Sequence, residues 1–149
     1  MPRPPGTPKL AFESDQGGHM KTIVLAYNDT DGSNAALERA AELAGFYGAK
    51  LVITSVIPVL VGAERVPETG IELRKAEEKL AGLGLKTELV EAIGEIGEAI
   101  VEVAESRGAD LIVIGTRELS QVERMLGHSV SEGVQRRARC DVLIVHPRR

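Results

Sequence analysis

Short apolar segments alternate with amphipathic segments along most of the chain, and this alternation limits the folds it can adopt. The apolar segments have the length and composition of β-strands, and the segments between them show helical periodicity. Strands separated by helices are joined by right-handed crossovers into a parallel sheet with helices on both faces. The predicted strands are residues 23–27, 51–57, 85–90, 111–114 and 142–145, with helices over residues 35–48 and 71–82, from residue 93 to Gly108, and within residues 116–139.

The polarity of the strands predicts their order. Four of them lack polar alternation, as buried parallel strands do, whereas the third carries Lys86, Thr87 and Glu88 and fits a sheet edge. The sequence therefore predicts an α/β fold with a doubly wound parallel sheet in the order 3-2-1-4-5. Ligands of such sheets bind beyond the carboxyl ends of the strands where the order reverses, here after strands 1 and 4. The loops that follow those strands are residues 28–33 and 115–129.

The first nineteen residues differ in composition from the rest. They hold four of the seven prolines and three of the sixteen glycines, and their only large apolar side chains are Leu10 and Phe12. They lack the apolar run of a secretory signal. We interpret residues 1–19 as a leader or a mistaken start, with a natural disordered arm as the alternative, and assign the folded domain to residues 20–149.

Length, charge and cysteine content exclude several classes of function. The chain has 149 residues, enough for one domain, and a formal net charge of −4 with no basic run. We therefore expect neither nucleic-acid nor membrane binding. The single cysteine, Cys140, excludes a disulfide framework and a zinc cluster, and it predicts a reducing, cytoplasmic location.

Catalytic and metal-binding patterns are weak. The histidines are His19, His128 and His146, and no two of them have metal-ligand spacing. Cys140 precedes an apolar strand, which favours an inert thiol over a nucleophile. Asp29 and Asp31 could bind Mg²⁺ beside a nucleotide, although aspartates in such loops more often cap turns or helices. We predict no catalytic residues and assign no enzymatic reaction.

Two further patterns allow a functional and a structural interpretation. A capping box runs from Ser129 to Glu132, and the helix start that it predicts could bind phosphate or could have no ligand. Four glutamates share one stripe of the third helix, opposite its apolar stripe. They favour a solvated helix face over a metal site. These glutamates are Glu95, Glu98, Glu102 and Glu105.

Three segments resemble the universal stress protein family. They are Ala-Asp-Leu-Ile-Val-Ile-Gly-Thr-Arg at 109–117, Leu-Gly-His-Ser-Val-Ser-Glu at 126–132 and Ala-Arg-Cys-Asp-Val-Leu-Ile-Val at 138–145. The resemblance extends over residues 20–147 and also includes strand 1 with its polar loop. It implies a small α/β protein that forms homodimers, in a family where one subclass binds ATP or AMP and another does not.

The resemblance also shows where this chain departs from the nucleotide-binding subclass. That subclass carries Gly-x2-Gly-x9-Gly-Ser/Thr after strand 4. Here the pattern falls on Gly115, Glu118, His128 and Ser129, so two of the three glycines are replaced. Glu118 would place a negative charge near the phosphates, and His128 could contact a phosphate or fill the space that glycine leaves. Gly127 lies next to His128 and could let the loop adjust.

The remaining candidate residues come from the other strand ends. Asn28 stands directly after strand 1, where the family often has an aspartate near the adenine and ribose. Val56 matches a position that often flanks the adenine, and packing explains it equally well. The resemblance implies a candidate nucleotide-binding set of Asn28, Asp29, Thr30, Val56, Gly115, Thr116, Arg117, Gly127, His128, Ser129, Val130 and Ser131.

The fifth strand predicts self-association. It lies at the second edge of the sheet, is apolar on both faces and has no lysine to block pairing. We expect a homodimer through Val142–Val145, as the resemblance also implies. The alternative is that the last helix and the tail from Pro147 to Arg149 cover this edge.

We therefore expect a stress-response or regulatory protein that acts by binding, with a degenerate site for ATP or AMP and unidentified protein partners. The alternative is a functional binder of ATP or AMP, with Mg²⁺ for ATP and slow hydrolysis. A flavin module of similar topology is disfavoured, because the chain has two Tyr, two Phe and no Trp to stack on a flavin.

Overall fold

The computed structural model of the chain describes residues 20–58, 70–116 and 130–148. Strands and helices alternate through these residues, as the sequence predicts. No helix among them is long and apolar enough to cross a membrane. The elements are β1 (Thr22–Ala26), α1 (Asp31–Tyr47), β2 (Lys50–Pro58), α2 (Ile71–Leu80), β3 (Thr87–Gly94), α3 (Ile96–Arg107), β4 (Leu111–Gly115), α4 (Val130–Arg137) and β5 (Asp141–Val145).

The five strands form one parallel sheet in the order β3-β2-β1-β4-β5, which confirms the predicted fold class and topology. β1 is the central strand, and its Val24 lies between Val52 of β2 and Ile112 of β4. The order reverses beside β1, so the carboxyl ends of β1 and β4 flank the switch point.

Alternate side chains of each inner strand supply two separate cores. Ile23 and Leu25 point to the face covered by α1 and α2. Val24 points to the opposite face, where it is buried with Ile100 of α3 and Val134 of α4. Because both faces are covered, the inner strands need apolar residues at every position, which explains their lack of polar alternation.

Helix α1 begins at Asp31, four residues before the predicted start. Thr30 is the N-cap, and its hydroxyl accepts a hydrogen bond from the Ser33 N–H at 3.2 Å. Ser33 Oγ in turn accepts from the Thr30 N–H at 2.9 Å, which completes a capping box. The prediction was wrong because a run of turn-forming residues was taken to be a loop, whereas its second half is the first turn of the helix.

Strand β3 begins two residues later than predicted and extends to Gly94, so Ile93 belongs to the strand and not to the apolar stripe of α3. It pairs with Ile57 of β2 and is 67% exposed. The spacing of three residues between Ile93 and Ile96 suggested one helix, but the backbone changes direction between them. The remaining strand and helix ends lie within two residues of their predicted positions.

All four glutamates of the predicted solvated stripe are exposed, and one of them, Glu95, also has a structural role at the start of α3. It is the N-cap of α3, and its carboxylate accepts hydrogen bonds from the N–H groups of Gly97 and Glu98. Arg137 of α4 lies 2.9 Å from the same carboxylate. Glu95 therefore links the two helices that cover this face of the sheet.

Candidate functional site

The carboxyl end of β4 touches the first turn of α1 at the switch point. A Cβ atom on Gly32 would collide with the carbonyl group of Thr116, and a Cβ atom on Gly115 would collide with the carbonyl group of Gly32. The second of these atoms would also lie 2.7 Å from the Ser33 nitrogen. Both positions require glycine because two backbones approach each other without room for a side chain.

Thr116 continues β4 beyond this contact and remains tied to the neighbouring strand. Its N–H donates to the Val145 carbonyl oxygen at 2.9 Å, and its hydroxyl lies 3.4 Å from the same oxygen. Gly115 and Thr116 therefore lie between α1 and β5. They form a fixed platform at the end of β4, where the sequence predicts a nucleotide site.

The loop after β1 is ordered by its own polar side chains. Asn28 Oδ1 accepts a hydrogen bond from the Thr30 hydroxyl at 2.8 Å, and the Asn28 N–H donates to Ser33 Oγ at 3.3 Å. The Asn28 side-chain oxygen is thus used within the loop, which leaves the amide N–H groups as its means of contacting a base. Thr30 serves as the helix cap, a structural role that the sequence did not predict for it.

Asp29 is held by two lysines of α2. Its carboxylate lies 2.8 Å from Lys75 Nζ and 3.2 Å from Lys79 Nζ. It also accepts hydrogen bonds from Tyr27 at 3.1 Å and Asn34 at 3.2 Å. Asp29 itself has a φ of 55°, in the left-handed region that a non-glycine residue adopts at a cost. These partners stabilise that backbone conformation.

The charges of this cluster shift the ionisation of its members. Hydrogen bonding to Lys75, then to Asn34 and Lys79, lowers the pKa of Asp29 far below its usual range. The hydrogen bond to Asp29 raises the pKa of Lys75, and the hydrogen bond to Tyr27 raises the pKa of Lys79. Burial raises the pKa of the Tyr27 hydroxyl.

The cluster therefore consists of one carboxylate between two ammonium groups, which favours a structural role for Asp29 over Mg²⁺ binding. Among the described residues, no group of three or more His, Cys, Asp or Glu side chains could hold a metal ion. The lysines were missed at the sequence level. Their spacing of four residues places them on one side of α2, but only the fold brings them to β1.

Val56 is half-buried at the carboxyl end of β2 and packs against the core on the α3–α4 face. Two residues earlier, Thr54 is fully buried and its hydroxyl has no hydrogen-bond partner among the described residues. Val130 and Ser131 form the first turn of α4, and Val130 packs partly against the same core. Packing thus accounts for Val56 and Val130, and their role in ligand binding stays a prediction.

The described residues bring together only part of the predicted site. Asn28, Thr30, Gly115 and Thr116 gather where β1, α1 and β4 meet, whereas Asp29 is bound by α2. The other predicted residues, and the glutamate that replaces a glycine, lie outside the described residues. These are Arg117, Glu118, Gly127, His128 and Ser129.

Comparison with known proteins identifies the family. Residues 19–146 match the universal stress protein family. The chain belongs to this family. A universal stress protein of Mycobacterium tuberculosis is 36% identical in an alignment 141 residues long that covers 85% of this chain and 96% of the relative. Another from Methanocaldococcus jannaschii is 34% identical in an alignment 140 residues long that covers 84% of this chain and 81% of the relative.

A solved structure of a universal stress protein shows the same fold. It is 31% identical to this chain, has a TM-score of 0.70, and aligns over 87% of this chain and 99% of its own. That protein was crystallised in complex with cAMP. The membership of the family and the doubly wound fold inferred from the sequence are thus confirmed.

The contact between β4 and α1 predicts a large difference between two glycine-to-alanine substitutions. Gly32→Ala should lower the free energy of unfolding by at least about 2 kcal/mol, because the new methyl group meets backbone that must move. Gly45→Ala, within the same helix, should raise it by up to about 1 kcal/mol, because its Cβ meets only Leu85 at 3.8 Å. Urea unfolding of both variants measures this. Equal effects would contradict the close approach.

The lowered pKa of Asp29 predicts how stability depends on pH. A carboxyl group with a depressed pKa in the folded state stabilises the protein above its unfolded pKa of about 3.9 and loses that contribution as the pH falls. Asp29→Asn keeps a residue that tolerates left-handed backbone and removes only the charge. The wild type should be more stable than this variant at pH 7, and the difference should shrink below about pH 4. Urea unfolding between pH 7 and pH 3 measures it. A constant difference would contradict the ion-pair role.

Proposed function

We propose that this universal stress protein acts in stress response or regulation by binding, with an adenine-nucleotide site that has degenerated. In this proposal ATP and AMP bind weakly or not at all, and cytoplasmic protein partners carry the response. The observation that carries it is the replacement of two phosphate-loop glycines by Glu118 and His128. Gly115, which opens the loop, is retained.

The charge of Glu118 gives the proposal its energetic basis. Two like charges about 4 Å apart at an effective dielectric near 20 repel by about 4 kcal/mol. That energy corresponds to roughly a thousandfold loss of affinity, enough to turn micromolar binding into millimolar binding. The repulsion energy grows with the negative charge of the ligand, so the affinity for ATP falls most.

A cyclic mononucleotide is the second candidate ligand. The phosphate of cAMP carries one negative charge and no further phosphates follow it, so repulsion by Glu118 is smallest for this ligand. The neighbour crystallised with cAMP is 31% identical to this chain, which supports the candidate. Asn28 could contact the base, and the platform of Gly115 and Thr116 could contact the ribose or the phosphate.

Thermal unfolding in the presence of nucleotides tests the proposal. The full chain is heated with 1 mM Mg·ATP, AMP or cAMP. A ligand present at 100 times its dissociation constant stabilises by about 2.7 kcal/mol, which moves the midpoint by several degrees. We expect less than about one degree with Mg·ATP and a larger shift with cAMP than with AMP.

Restoring the glycines should restore ATP binding. The double variant Glu118→Gly/His128→Gly should gain a shift of several degrees with Mg·ATP. The control Glu118→Gln removes the charge without adding a glycine, so it separates repulsion from backbone freedom. If Mg·ATP or AMP raised the midpoint of the wild type by several degrees, the result would instead favour a functional ATP or AMP binder.

We also propose that the protein forms a homodimer through the exposed edge of β5. Four of its five residues are half-exposed, and within the described part of the chain β5 pairs with β4 alone. A strand edge that is apolar on both faces invites pairing with a second chain.

Sedimentation equilibrium tests the dimer. The wild type should sediment as a dimer and Ile144→Lys as a monomer, because the lysine places a charge on the edge strand. Ile144 also packs partly against the α3–α4 core, so circular dichroism must show that the variant is folded. Ile93→Lys is the matched control, since Ile93 lies on the opposite edge strand and is 67% exposed. A monomeric wild type, or dissociation caused equally by both substitutions, would contradict the proposed interface.

A further inference from the structure

A groove of about 700 Å³ runs between α1 and α2 on the outer side of the sheet. Its floor is apolar: Leu37 and Leu80 are buried, and Ala41 and Leu85 are partly buried. α1 starts at the nucleotide site and extends for 17 residues. At about 1.5 Å per residue, the far end of the groove lies roughly 20 Å from that site.

The far end of the groove exposes large apolar side chains. Phe46 is 72% exposed and Leu83 is 59% exposed, and both line the groove. Phe46 also packs edge-to-face against Tyr47, with ring centroids 5.1 Å apart. Contiguous exposed apolar side chains of this kind mark interaction surfaces of proteins.

Gly45 lines the groove on the α1 side and contributes no side chain to it. It lies inside α1 with no left-handed backbone angle, and a Cβ atom there would meet only Leu85 at 3.8 Å. Alanine would fit this position and would favour the helix by about 1 kcal/mol. Backbone geometry therefore does not require the glycine, so this position accepts a methyl group, and only a large side chain would fill the groove.

The rim of the groove is acidic on the α1 side. Glu38 and Glu42 project there one helical turn apart, and both are exposed. Arg39 lies 3.6 Å from Glu42 in an exposed pair, which offsets little of its charge. Among the residues that the structure describes, Lys79 is the one lysine that lines the groove, and it is held by Asp29 and Asn34 at the opposite end.

We propose that this groove binds an amphipathic helical segment of a partner protein, with an apolar face and flanking Lys or Arg residues. The apolar floor between two helices matches the helix-in-groove mode of recognition. The acidic rim supplies charge complementarity, which selects basic partners and speeds their association. The proposal does not depend on nucleotide binding.

A pair of designed peptides tests the proposal on the full chain. Both are fourteen-residue helices with leucines at positions i, i+3, i+4 and i+7 on one face, and they carry lysines or glutamates on the other. Fluorescence anisotropy should show binding of the lysine peptide and at least tenfold weaker binding of the glutamate peptide. Raising the salt concentration should weaken the binding of the lysine peptide.

Two substitutions at one position locate the binding. Gly45→Arg fills the groove and reverses its charge, and should weaken binding of the lysine peptide at least tenfold. Gly45→Ala is the matched control, and should bind as the wild type does. Glu38→Lys should weaken binding several-fold without blocking the groove. Circular dichroism confirms that each variant is folded.

Several results would overturn the proposal. Binding that survives in Gly45→Arg would place the peptide elsewhere, and absence of binding would exclude the basic helical partner. A wild type whose self-association is lost only in Gly45→Arg would make a second copy of the chain the occupant. Peptide binding seen in Phe12→Ser but not in the wild type would make the chain's own N-terminal segment the occupant.

Discussion

The backbone contact between the end of β4 and the first turn of α1 sets the geometry of the switch point. Gly32 and Gly115 lie against each other with no room for a side chain on either. This contact fixes how far α1 stands from the sheet. It therefore also fixes the positions of Asn28 on one side and Thr116 on the other, on which any ligand at this edge depends.

The polar cluster around Asp29 extends this constraint to α2. Lys75 and Lys79 bind the carboxylate of a residue in a strained backbone conformation, so the loop after β1 and helix α2 hold each other in place. The carboxylate of Asp29, which the sequence predicts as a nucleotide contact, thus forms ion pairs with lysines of the same chain. The backbone groups around Gly115 remain available to the proposed ligand site.

Different interactions determine affinity at the two proposed binding surfaces. In the proposed nucleotide site, repulsion between Glu118 and phosphate would select among ligands, so net ligand charge would control affinity. In the groove between α1 and α2, buried apolar area provides the affinity, and the rim formed by Glu38 and Glu42 selects the partner. The groove runs along α1 from Asn34, beside the cluster around Asp29, to Phe46, so substitutions at its far end near Gly45 leave the switch point unchanged.

The sequence by itself determined the strand order, the two-sided core and the place where the order reverses. Periodicity and polarity are local properties, and parallel crossovers allow few arrangements of them. The sequence also shows that Glu118 and His128 stand where the family pattern has glycines, and this comparison needs no coordinates. It misplaced Ile93 and the start of α1, because turn-forming residues and a spacing of three fit more than one local structure.

Only the tertiary structure decided which residues meet across the fold. Asp29 reaches Lys75, Glu95 reaches Arg137, and Gly32 reaches Gly115, each across more than forty residues of chain. No local sequence pattern predicts such pairs, because they depend on how the helices pack against the sheet. The groove beside Gly45 has the same origin, since it exists only where two separately predicted helices lie side by side.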